Sequence, residues 1–143
     1  MSMKTGLEAV RRIKLPRFTD GGGSLSVLEG GRSVPFEIRR VYYLYGLQDG
    51  ERRGGHAHKY HEEVVFPVAG GFDIFLDDGA CRKTFQMNEP NVGLYYPQMV
   101  WHELSNFVPG TVCLVMASRH YDEEDYFREY EAFLQAARLG VSP

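Results

Sequence analysis

The chain of 143 residues is long enough for one domain with a sizeable core, so neither a second domain nor disulfide support is needed. Its 16 Lys and Arg against 19 Asp and Glu give a net charge of −3, which excludes a polybasic surface for nucleic acid or an anionic membrane. Cys81 and Cys113 are too few for a disulfide framework, and their apolar, strand-like surroundings predict two reduced, buried thiols.

In chain order, Met1 to Arg12 holds no apolar run of signal-peptide length, and no stretch approaches the roughly 20 apolar residues of a membrane span. A cytoplasmic protein without a membrane segment is the expectation. Short runs rich in Val, Ile, Tyr, Phe and Leu then recur at 24–28, 36–45, 63–68, 72–76, 81–87, 92–96 and 111–117. Turn signals separate them, among them Gly21-Gly22-Gly23, Asp49-Gly50, Gly70-Gly71 and Pro109-Gly110. This spacing predicts an all-β sandwich or barrel with locally joined strands. After Asp125 the period changes: Tyr126, Phe127, Tyr130, Phe133, Leu134 and Ala137 recur at helical spacing, and Gly140 supplies a stop. An amphipathic helix lying outside the barrel is expected there. The preceding acidic run, Asp122-Glu123-Glu124-Asp125, reads as a cap and dipole complement for that helix.

The stretch with most chemical content lies between Gly50 and Gly70, where His56 and His58 stand two apart and Glu63 follows five residues later. In a strand, residues i and i+2 share a face, so both imidazoles project into one cavity. A second segment, Pro97 to Trp101 followed by His102 and then Asn106, adds another histidine. Imidazole and carboxylate suit a divalent Fe, Mn, Ni or Zn, which makes His56, His58, Glu63 and His102 a ligand set if a metal is bound. The same histidines also suit metal-free acid and base work near neutral pH. Arg53, beside the Gly54-Gly55 turn, is placed to hold an anionic group. Tyr42, Tyr43, Tyr95, Tyr96 and Trp101 offer aromatic faces and hydroxyls, although alternation turns only some of them inward. His61 and His120 have no partner at a telling spacing and read as ordinary residues.

The glycine, His pair, Glu, second glycine and distant Pro/His/Asn set resemble both motifs of the cupin barrel. Closer still, the strings Arg53-Gly54-Gly55-His56-Ala57-His58-Lys59, Val100-Trp101-His102-Glu103 and Tyr121-Asp122-Glu123-x-Asp125-Tyr126 are similar to those of the dTDP-sugar 3,4-ketoisomerases of the FdtA/WxcM-like group. The resemblance implies a single domain over 1–143: an RmlC-like jelly-roll barrel over about 10–118 and a C-terminal helix over about 122–139. It implies a homodimer that isomerises a dTDP-4-keto-6-deoxyhexose to its 3-keto isomer with no cofactor and no metal. By the same resemblance, His58 carries the carbon proton from C3 to C4, and His56 handles oxygen protons or polarises the carbonyl. Arg53 holds the diphosphate, and Tyr42, Lys59, Tyr95, Trp101, His102 and Glu103 contact substrate. Two features depart from that group. Glu63 stands where relatives usually carry glutamine, which completes the metal set, and Asp20 to Leu25 lacks the bulky polar residue that relatives carry there. The competing expectations are a metal-dependent cupin oxygenase or isomerase and a non-catalytic nucleotide-sugar-binding cupin.

Overall fold

The computed structural model describes residues 6–140. A short 3-10 turn, Gly6–Ala9, leads into β1 (Arg11–Lys14), β2 (Arg17–Asp20), β3 (Gly23–Ser26), β4 (Arg40–Leu44) and β5 (Arg53–His58). There follow β6 (Glu63–Ala69), β7 (Phe72–Asp77), β8 (Arg82–Met87), β9 (Val92–Tyr96), β10 (Trp101–Ser105) and β11 (Val112–Ala117). A second 3-10 turn, Glu123–Asp125, precedes β12 (Tyr126–Phe127) and the helix α1 (Tyr130–Arg138). The strands form two five-stranded antiparallel sheets, β1-β9-β6-β11-β4 and β12-β5-β10-β7-β8, with β2 and β3 a separate hairpin. This is the jelly-roll barrel with a C-terminal helix that the sequence predicts.

Strand patterning explains how the sheets face one another. Val65, Leu94, Tyr96, Cys113 and Val115 of one sheet pack with Ile74, Leu76 and Leu104 of the other, so the apolar period of two along each strand fills the inter-sheet space. β6 is instead a continuous apolar run, Val64-Val65-Phe66, because both of its faces are covered. Val64 and Phe66 lie on the outer face beneath Val34 and Phe36 of the segment before β4. The run at 36–45 is therefore a strand only from Arg40 onward, and Phe36 belongs to the covering segment.

Three further expectations are corrected. The helix begins at Tyr130, not near 122, because Asp125 is drawn into the barrel and Tyr126 and Phe127 pair with β5 at His58 and Ala57. Asp122 does cap, but it caps the 3-10 turn, accepting the Glu124 N–H at 3.0 Å. Cys113 is buried as expected, whereas Cys81 is exposed, because it closes the turn from Asp78 just before β8 and lies outside the strand.

Candidate active site

The site is built where β5 crosses β10. Gly54 and Gly55 take φ of +85° and +74°, a region open to glycine at little cost. A Cβ on Gly54 would lie 2.8 Å from the His102 carbonyl oxygen. The ladder slips there, His56 facing His102 while Gly54 faces Glu103. A bulge of this kind bends the strand and re-aims its side chains. His56 and His58 thereby join His102 inside the barrel, with ring centroids 5.0 Å (56 to 58), 4.5 Å (56 to 102) and 5.4 Å (58 to 102) apart. A cavity of about 100 Å³ opens beside them, lined by Tyr42, Arg53, His56, Tyr96, His102 and Leu104 among others. His56 forms part of its wall, whereas His58 is buried behind it.

Beneath the cavity lies a polar network that neighbouring strands close off. Glu63, fully buried at the start of β6, accepts hydrogen bonds from Tyr42 Oη at 3.2 Å and Tyr96 Oη at 2.8 Å. His61 Nε2 lies 3.2 Å from the same carboxylate. The other edge of the His61 ring faces Asp125, with Nδ1 2.5 Å from Oδ2. Asp125 in turn accepts the Tyr60 N–H at 2.7 Å. His58 stacks on His61 at 3.5 Å and spans the same two carboxylates at longer range, 3.6 Å to Glu63 and 3.5 Å to Asp125. His61 is thus not the ordinary residue its spacing predicts, and Asp125 is no helix cap. Both belong to the buried support of the site.

Burial sets the charges. It pushes the His56 imidazole down to about 4, assisted by neighbouring His58, and Glu63 opposes the shift. His102 is pushed down to about 3, again chiefly by burial and then by His56. Both rings are therefore neutral at pH 7 and able to accept a proton. For Glu63, burial favours the neutral acid, but the hydrogen bond from His61 and the field of His58 and His102 outweigh it and hold the carboxyl well below its usual range. Burial and the Glu63 charge raise Tyr42 and Tyr96 well above the ordinary phenol range, so both stay protonated donors.

The remaining expected site residues divide by strand phase. Tyr42 and His102 reach the cavity, and Arg53 stands at its edge paired with Glu51 at 3.0 Å. Trp101 and Glu103 flank His102 on β10 and so point to the outer face, where Trp101 Nε1 donates to Glu103 at 2.8 Å and the indole packs on Phe133 of α1. Tyr95 is likewise one residue out of phase with Tyr96; it donates to Glu62 and packs near Phe36. The Lys59 ammonium lies over Phe127, 5.1 Å from the ring centre, and Asn106 bonds Asp73 at 2.8 Å in a turn. None of these five lines the cavity. Tyr126, outside the expected set and not itself lining the cavity, packs against its histidines, the ring meeting His56 at 5.0 Å and His58 at 4.5 Å edge-on. The signal for it lay in the Tyr121 to Tyr126 string.

His56, His58 and His102 are the set that would hold a divalent metal, since one nitrogen from each lies within 4.8 Å of the others. Glu63 fits that set poorly. Tyr42 and Tyr96 each occupy one of its oxygens and His61 a third position, which leaves it a hydrogen-bond hub and not a free ligand.

Comparison with known proteins points the same way as the geometry. The chain is 40% identical over 121 residues to the TDP-4-oxo-6-deoxy-alpha-D-glucose-3,4-oxoisomerase of Aneurinibacillus thermoaerophilus, an alignment covering 85% of this chain and 87% of that protein. A 3,4-ketoisomerase from Helicobacter canadensis superposes with a TM-score of 0.88 at 38% identity, covering 91% of this chain and 98% of its own. So does a histidine-to-asparagine variant of the 3,4-ketoisomerase QdtA from Thermoanaerobacterium thermosaccharolyticum in complex with TDP-4-keto-6-deoxyglucose. Its TM-score is 0.89 at 36% identity, over 94% of this chain and 97% of that one. The fold alone is shared with dTDP-4-dehydrorhamnose 3,5-epimerase from Bacillus anthracis, at a TM-score of 0.75 and 14% identity over 87% and 80% of the two chains. The model of the FdtA family, described as WxcM-like, C-terminal, matches residues 8–138, and the chain belongs to that family.

Proposed function

We propose that this chain is a dTDP-sugar 3,4-ketoisomerase acting on a dTDP-4-keto-6-deoxyhexose. The observation that carries the reading is a neutral imidazole, His56, on the wall of a cavity that also holds two phenols, a second neutral imidazole and, at its edge, the Arg53 guanidinium. The hydrogen on C3 is acidified by the C4 carbonyl. His56 takes that proton, the C–H electron pair forms a C3–C4 double bond, and the carbonyl electrons move to the C4 oxygen. The proton then returns to C4 while the C3 hydroxyl proton passes to the C4 oxygen, leaving the ketone at C3. Carbon and oxygen each exchange one proton, and no external oxidant or reductant is required.

In this reading the two histidines take the reverse of the roles that the family resemblance implies. His56 borders the cavity, whereas His58 is buried among His61, Glu63 and Asp125 and acts by holding the network. Such a base contributes about 10²–10⁴-fold. The acid limb of kcat/KM should follow His56. Its charged form is disfavoured, so activity is expected to rise with pH through about 4 and to be flat across neutrality. A pH–rate profile with its acid limb near the ordinary 6.5 would contradict this assignment.

The metalloenzyme alternative is separated by chelation. Protein stripped with EDTA is expected to keep its turnover of a dTDP-4-keto-6-deoxyhexose. Loss that a single divalent metal restores would establish the alternative, and ligand binding without any turnover would establish the non-catalytic one.

The diphosphate is assigned to Arg53, whose side chain stands half-exposed at the cavity edge. The hairpin of β2 and β3 supports a homodimer. All eight of its residues are exposed and it joins neither sheet, leaving Phe18 and Leu25 60% and 57% accessible. Apolar side chains on an unsupported hairpin find cover against a second copy of the chain. Light scattering at micromolar concentration is expected to give the dimer mass, and Phe18→Ser with Leu25→Ser to shift it toward the monomer. No helix among the described residues is long and apolar enough to cross a membrane. Its unpaired cysteines fit a cytoplasmic setting.

A further inference from the structure

Tyr126 and Arg40 sit across the seam of the barrel, where the edge strand β4 faces β12, and no step described above uses them. Arg40, Tyr42 and Leu44 alternate onto the inner side of β4, which puts the guanidinium one strand step beyond the cavity-lining Tyr42. Arg39, Arg53, Arg82 and Arg128 each pair with a carboxylate. Arg40 has none within 4.0 Å among the described residues. Its guanidinium lies instead between the rings of Tyr42 and Tyr121, 4.6 and 5.1 Å from their centres, and donates from Nη1 to Tyr126 Oη at 3.2 Å.

That one bond fixes what the Tyr126 hydroxyl can do. A phenol has one proton to give, and here its oxygen already serves as acceptor. Among the described residues its own O–H donates to nothing. The ring is anchored by the β12–β5 pairing of Tyr126 with His58 and by edge contact with His56. The result is an oriented, unspent donor beside the base, with a cation behind it. The chemistry needs such a group. Glu63 places a buried negative charge on the floor of the site, and an oxyanion forming above it must be met from another side.

We infer that Tyr126 is a further catalytic residue, donating its hydroxyl hydrogen bond to the C4 oxygen of the substrate as that oxygen becomes an enediolate, with Arg40 as the positioning residue that polarises the phenol. The inference rests on the ketoisomerase reading. As the C3–H electron pair moves into the C3–C4 bond, charge gathers on the C4 oxygen and the Tyr126 bond strengthens. It is lost again when C4 is protonated. An interaction stronger in the transition state than in the ground state raises kcat and leaves KM nearly unchanged.

Tyr126→Phe keeps the ring against His56 and His58 and removes only the hydroxyl. In a kinetic assay with TDP-4-keto-6-deoxyglucose it is expected to lower kcat by about 10²–10³-fold, the range for removal of one oxyanion donor. TDP affinity and KM should stay within about threefold of wild type. Arg40→Gln is expected to lower kcat roughly tenfold, as for loss of one charge-assisted hydrogen bond. The double variant should be no slower than Tyr126→Phe alone, because Arg40 acts through the phenol. A folded Tyr126→Phe enzyme within about threefold of wild-type kcat, or one whose loss lies wholly in TDP binding, overturns the inference while the ketoisomerase reading stands. Should Tyr126→Phe fail to fold, unchanged kcat in Arg40→Gln overturns it equally. Wild-type protein that binds TDP and leaves the ketosugar unaltered would remove the ketoisomerase reading, and this inference with it.

Discussion

His56→Asn is expected to lower kcat by about 10²–10⁴-fold, the contribution of a positioned general base, while TDP affinity stays close to wild type. Asparagine keeps a polar side chain of similar reach at the bulge after Gly54 and Gly55, so the β5–β10 crossing and the cavity wall are preserved. Only proton acceptance is removed. His58→Asn is expected to give a smaller loss, because His58 lies behind the wall and reaches the chemistry through Glu63 and Asp125. Steady-state kinetics beside calorimetric titration with TDP separates the two. If His58→Asn proves the more damaging in kcat with binding intact, the carbon proton travels by His58 and the assignment made from burial is wrong.

The second large effect is on stability. Glu63→Leu leaves Tyr42 Oη, Tyr96 Oη and His61 Nε2 facing an apolar side chain in a closed site. Breaking a buried, charge-bearing network by removing one partner costs about 3–5 kcal/mol, a large part of the 5–15 kcal/mol typical of whole domains. Glu63→Gln is expected to cost far less, since its carbonyl still accepts from one phenol. It should also move the acid limb of kcat/KM to lower pH: the carboxylate favours the His56 imidazolium, so its loss depresses that pKa further. Urea unfolding of both variants, with the pH–rate profile of Glu63→Gln, checks the pair. Equal stability of Glu63→Leu and wild type would show that Glu63 is not the hub. Coupled loss of a bound metal and of activity in Glu63→Gln would make it a ligand instead.

Strand phase was the legible part of the site. His56, His58 and His102 were readable because a period of two applies along each strand and two short motifs bring the strands together. The same rule, applied to Val100-Trp101-His102-Glu103, places Trp101 and Glu103 on the outer face, and family resemblance alone had put them at the substrate. Tyr95 and Tyr96 show how sharp the phase is, since one donates to Glu62 outside and the other to Glu63 inside. The support of the site was not legible. His61 precedes β6 and has no periodic partner, and its contact to Asp125 spans 64 positions, closed only when the 3-10 turn folds back on β5. Helical spacing from Tyr126 onward hid that turn, because Tyr126 and Phe127 satisfy an apolar period equally well as a two-residue strand. Of the fold, β4, β6 to β9 and β11 were evident from their turn punctuation, whereas β1, β5, β10 and β12 fall outside the apolar runs. The hairpin of β2 and β3 was harder to read, having no buried face to impose a pattern.

Ketoisomerisation is seen most directly at C3 of the substrate. Proton NMR of purified protein with TDP-4-keto-6-deoxyglucose should show the C3 hydrogen resonance disappear and a new C4 hydrogen appear, at a rate proportional to enzyme and with no added cofactor. An unchanged ketosugar spectrum, with TDP still bound by the protein, would contradict it.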